Sequence, residues 1–104
     1  MTKDEALVLL SESLVLLSQK LTDQGRLIEA GWVGFQIAVV PPDAPDVQVR
    51  EMRLAFMAGA QHLFSSITAI MEADREPTEA DMRRMSLIDD ELKAFTEEFK
   101  KRTH

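Results

Sequence analysis

The stretch from Met52 to Ile70, MRLAFMAGAQHLFSSITAI, constrains the fold more than any other. Met52, Phe56, Gly59, Leu63, Ser66 and Ile70 are spaced by alternating steps of four and three. That spacing keeps all six on one face of a helix. Large residues alternate there with small ones, and Ala55, Ala58, Ala60 and Ile67 lie beside them. A glycine inside a helix costs about 1 kcal/mol against alanine. Gly59 therefore predicts the close approach of a second helix, with a local kink as the alternative. The stretch reads as the central helix of a small all-α domain, starting near Asp46 and running to about Ala73.

The N-terminal stretch, Thr2 to Gln24, predicts another long helix. Thr2 and Glu5 are spaced as a capping box, in which hydroxyl and carboxylate each satisfy a backbone N–H. LVLLSES (7–13) is followed at once by LVLLSQK (14–20), a seven-residue repeat. Leu7, Leu10, Leu14, Leu17 and Leu21 form its seam, and Val8, Leu9, Val15 and Leu16 widen it. Such a stripe is wider than a two-stranded coiled coil needs and suits a helix buried on two sides. Both sides belong to the core of a monomer, or one belongs to the core and the other to a second subunit. Gly25 ends or bends this helix.

Arg26 to Val40 holds the sole tryptophan, Trp32, with Gly31, Gly34 and a β-branched run. As a helix it offers a small-residue face, Gly31, Gly34 and Ala38, to a neighbour such as Gly59-Ala60. As a strand it has the composition but only partial alternation, and it would need a copy of itself across a dimer. Helix is the preferred reading. PPDAP (41–45) ends the segment, since proline offers no N–H and forces the preceding residue extended. It reads as a stiff, extended inter-helix connector. EADREPTEAD (72–81) makes the second break, and Thr78 with Asp81 is spaced for another capping arrangement. The last helix is predicted from about Glu79 to Lys101, with Met82, Met85, Ile88, Leu92, Phe95 and Phe99 as its seam. The expected fold is all-α: three long helices with a fourth, short segment at 26–40, helix or dimer-paired strand.

A chain of 104 residues with 45% apolar content predicts one folded domain, 1–104, with a thin core. It contains no cysteine, so no disulfide framework or thiol chemistry is expected. The N-terminus lacks the basic region and cleavage site of a signal peptide. The longest weakly polar stretch, Ala30 to Pro42, is too short for the roughly twenty residues a membrane span needs. A soluble, cytoplasmic protein without a membrane partner is expected. The net charge of −6 argues against nucleic acid, whose binders carry a basic stripe. Lys100, Lys101 and Arg102 read instead as cations at a helix C-terminus.

The residues of known site chemistries are sparse. A metal site needs three or four ligands, and His62 has no second histidine at three or four residues' distance; His104 is the only other one. Position 59, where a di-iron bundle would carry the acid of Glu-x-x-His, is glycine. There is no phosphate-binding glycine loop, zinc-protease motif or nucleophile elbow. No catalytic residue, metal ligand or cofactor is assigned. The alternative reading is a small-molecule or metal-binding bundle in which His62 and Trp32 line a pocket.

The runs GRLIEAGWVGFQIAVVPPDAP, EMRLAFMAGAQHLFSSI and EPTEADMRRMSLIDDEL resemble a group of small helical proteins from proteobacterial genomes and their tailed phages, a group without an assigned activity. The resemblance covers about Gly25 to Phe95 and implies a phage or prophage setting. Together with the wide apolar face of the first helix, it leads to an expected non-enzymatic interaction or assembly module. Such a module self-associates, most simply as a homodimer, with another protein as a further partner. Leu9, Leu16, Trp32, Phe35, Phe56, Gly59 and His62 are the expected interface residues.

Overall fold

A computed structural model describes residues 1–71 and 75–102. Among them the chain is all-α, with helices α1 (Lys3–Asp23), α2 (Leu27–Val39), α3 (Asp46–Ile70) and α4 (Glu79–Arg102) and no strand. It divides into two compact units, Met1–Gln61 and His62–His104. The expected end of the central helix near Ala73 lies outside the described residues, as does His104.

In the first unit, local chemistry sets the ends of α1. The Thr2 hydroxyl accepts from the Glu5 N–H at 3.1 Å. At the other end Gly25 takes a left-handed φ of 78°, a conformation that costs a residue without a β-carbon little. Its N–H donates to the Thr22 carbonyl at 3.0 Å, and the Arg26 N–H donates to the Leu21 carbonyl at 2.9 Å. These two bonds form a Schellman motif. Gly25 therefore ends the helix rather than bending it, and α2 begins two residues later.

Residues 27–39 are helix, not strand. A helix satisfies its own backbone, whereas a lone strand leaves its N–H and C=O groups without a ladder. α2 folds back along α1 as a helical hairpin, and the Ser18 hydroxyl donates to the Ala30 carbonyl at 3.1 Å. The core is Leu21, Ala30, Trp32, Val33 and Val40, ringed by half-buried Leu14, Val49, Met52, Phe56 and others. It sits on α2. This corrects the expectation that the Met52–Ile70 helix is the centre, because α3 buries no residue fully. Only Glu29 and Gln36 are polar in α2, so it can be covered on one side by α1 and on another by α3. The more polar α3 uses one narrow seam.

The α2–α3 contact is aromatic. The Phe56 ring lies 5.8 Å from Trp32 and 5.7 Å from Phe35, and the latter two stack at 5.9 Å. Arg53 of α3 pairs with the Glu29 carboxylate of α2. At Gly31 the Phe56 ring lies in van der Waals contact, 3.4 Å from where a β-carbon would stand. No such contact occurs at Gly59 or Gly34, where a β-carbon would meet nothing within 4 Å. Pro41–Ala44 is a hydrogen-bonded turn, not an extended connector. The Ala44 N–H donates to the Pro41 carbonyl at 3.1 Å, and Pro42 sits second in the turn, where its fixed φ is favoured.

In the second unit, Thr78 and Asp81 cap α4 reciprocally. The Thr78 N–H donates to the Asp81 carboxylate at 3.0 Å, and the Asp81 N–H donates to the Thr78 hydroxyl at 3.1 Å. Asp81 is 4% exposed, the only buried side chain in this unit among the described residues. The Arg75 and Arg84 guanidiniums each stand 3.7 Å from its oxygens. The Thr78 N–H, the Thr78 hydroxyl and the two arginines hold its pKa below the ordinary 3.8, against the opposing effect of desolvation. A carboxyl whose pKa falls on folding stabilises fully above its unfolded value, and that support is lost as pH falls through the folded value. Acidification from about pH 5 to pH 2 should therefore fray the start of α4. Asp81→Asn should remove most of that pH dependence while lowering helix content at neutral pH. Far-UV circular dichroism of both proteins across this range checks it.

Candidate functional site

The seven-residue repeat of α1 produces one row of leucine that packs on the core and a second, exposed set, of which Leu10 also borders the cleft between α1 and the end of α2, beside Ile37 and Val40. Leu7 and Leu14 are half-buried and Leu21 is buried. The second row steps by three and four through Ala6, Leu9, Leu10, Ser13, Leu16 and Leu17 to Lys20. All of these are exposed; Leu9 is 48% and Leu16 66% exposed. The face is held by a helix capped at both ends and clamped to α2 along its other side. Val8 and Leu9 line an open groove of about 420 Å³ whose rim is Asp4, Glu5 and Glu12. Contiguous exposed apolar residues edged by polar ones are a surface that needs explaining, since monomers expose few such patches.

The structure separates the expected interface residues into two groups. Leu9 and Leu16 lie on the exposed face. Trp32, Phe35 and Phe56 come together as an aromatic cluster inside the first unit, with Trp32 only 5% exposed. Trp32 is buried because α2 is apolar nearly all round; Phe35 and Phe56, on α2 and α3, are half-buried against it. Gly59 is exposed and His62 is exposed, its carbonyl accepting from the Ser66 hydroxyl at 2.8 Å. Trp32 is packed against the Phe35 and Phe56 rings. Among the described residues no group of three His, Asp or Glu side chains could hold a metal ion.

Leu10 and Leu17 belong to the predicted seam but are about half exposed, Leu10 at the edge of the cleft that Leu7 and Leu14 form with Ile37 and Val40. The signal was available. Successive residues on a helix differ by 100°, so adjacent leucines at 9–10 and 16–17 cannot both share a direction with Leu14 and Leu21. In α4, likewise, Met85 and Ile88 are half-buried while Leu92 and Phe95 are exposed.

The open space at Gly59 makes a sharp expectation. Gly59→Ala removes the glycine penalty of about 1 kcal/mol without meeting an atom, and should raise the melting temperature by roughly 4–8 °C. A thermal scan that shows a fall instead would mean that something occupies this position in solution.

No helix of the described residues is long and apolar enough to cross a membrane. Compared with family models, curated proteins and solved structures, the chain matches none.

Proposed function

We propose that the chain is a non-enzymatic helical assembly module that forms a homodimer through the second leucine row of α1. The observation that carries this reading is the exposure of Leu9, Leu10, Leu16 and Leu17 on one row of a rigidly held helix. The row is self-complementary. Laid antiparallel on a second copy about Ser13, it sets Leu9 opposite Leu17 and Leu10 opposite Leu16. Ser13 meets itself, and a small residue there lets the backbones approach. The same alignment brings Lys20, in the last turn, towards the acidic first turn of Asp4 and Glu5. An isologous two-fold contact of this kind is the commonest form of homo-oligomer. A phage or prophage assembly role, with a further protein bound by the dimer, is the setting we favour from the resemblance of its sequence.

Absolute mass by light scattering, over a hundredfold range of concentration, tests the reading. The expected value is twice the chain mass of 11.7 kDa at the upper concentrations. A single-chain mass throughout would end it.

A further inference from the structure

We infer that α4 supplies a second, antiparallel contact between two copies of this chain; the inference rests on the self-association proposed above. Along α4, Met85, Ile88, Leu92 and Phe95 step by three, four and three, which is the a/d spacing of a coiled-coil seam. Leu92 is 50% and Phe95 61% exposed, and no apolar side chain of the His62–His104 unit is buried among the described residues. The spacing reads the same in both directions. In antiparallel alignment centred on Asp90, Met85 meets Phe95 of the second copy and Ile88 meets Leu92 of the second copy. Each layer then occurs twice, and a large side chain faces an unlike one, as interlocking knobs require.

Charge selects the second copy and the direction. α4 has Glu79 and Asp81 in its first turn and Lys100, Lys101 and Arg102 in its last. A parallel copy sets like charges together at both ends. An antiparallel copy sets Arg84 near Glu98, a pair formed twice beside the seam, and brings the acidic first turn of each helix to the basic last turn of the other, with the helix dipoles opposed. The centre carries the opposing cost, since Asp89 and Glu91 meet their own copies there. Lys93, whose ammonium lies 2.7 Å from the Asp89 carboxylate, offsets part of it.

The chain has no cysteine, so engineered thiols report the register directly. Met85→Cys/Phe95→Cys in the full chain should form a covalent dimer under mild oxidation, through residues 85 and 95 of different copies. Either single variant should not, because the two like thiols then stand about 15 Å apart along the helix, far beyond disulfide reach. Equal cross-linking of the single variants would overturn the antiparallel register. A double variant that stays uncross-linked, in a protein whose mass is that of a dimer, would end this inference and leave the α1 contact standing. A single-chain mass for the unaltered protein would end both. As an independent measure, Glu98→Arg should weaken association roughly fivefold through its two exposed pairs, and adding Arg84→Glu should restore it in a protein whose helix content, checked because Arg84 also faces Asp81, is unchanged. A parallel arrangement predicts no such rescue.

Discussion

Replacing Trp32 with alanine is expected to leave the first unit unfolded or nearly so at physiological temperature. The side chain is 5% exposed and contacts rings on its own helix and on α3. Removing a buried tryptophan costs about 3–5 kcal/mol, and a domain of this size has only about 5–15 kcal/mol in total. The loss has no local remedy. Only Leu21, Ala30, Val33 and Val40 share full apolar burial with it among the described residues, so few neighbours can collapse into the space. Trp32→Phe keeps a ring beside Phe35 and Phe56 and should lose less than half as much. Urea titrations followed by far-UV circular dichroism measure both. A Trp32→Ala protein as stable as the parent would mean that the aromatic cluster is not what joins α2 to α3.

The second large effect is on mass rather than stability. Leu9→Glu/Leu16→Glu should convert the proposed dimer to single chains. Burying a leucine is worth about 1.5–3 kcal/mol, and the two-fold contact buries each of these positions twice. The loss therefore exceeds a thousandfold in association, before counting the repulsion of four carboxylates brought together. The folded chain should barely change, because both sites are exposed and glutamate is a good helix former. Repulsion from Glu5 and Glu12 costs a few tenths of a kcal/mol. Light scattering and a thermal scan on the same sample separate the two effects. A variant with unchanged mass and stability removes the α1 face from consideration; a variant that unfolds shows that those leucines belong to the fold.

The helix ends were legible in the sequence because single residues set them. Thr2, Gly25, Pro77 and Thr78 act on the backbone within a few positions, so their effect does not depend on tertiary context. The segment at 26–40 was harder. Tryptophan, valine and isoleucine suit a strand as well as a buried helix, and only the supply of backbone partners separates the two. The centre of the fold was misjudged for a related reason. Periodicity shows which face of a helix is apolar but not what covers it, so the long seam of α3 outweighed the shorter, more apolar α2. The same gap explains Gly59, whose small size suggests a close helix contact although a β-carbon there would meet nothing within 4 Å. The proposed surface was half legible. The excess width of the α1 stripe pointed to a second use, and Leu9 and Leu16 were named. Leu10 and Leu17 needed the position of α2 to show that they lie at and beyond the edge of its cover.

The hairpin of α1 and α2 closes over a short loop of chain. The bond from Ser18 to Ala30 spans twelve positions, and helical units built from such local contacts fold in microseconds to milliseconds. Ribosomes add about 5–20 residues per second, so the stretch beyond Gln61 needs seconds to appear. Both helices of the hairpin are therefore available to pair while α4 is still being translated. Two nascent chains on one message would meet as hairpins first, and pairing at α1 would precede, and align, any pairing at α4.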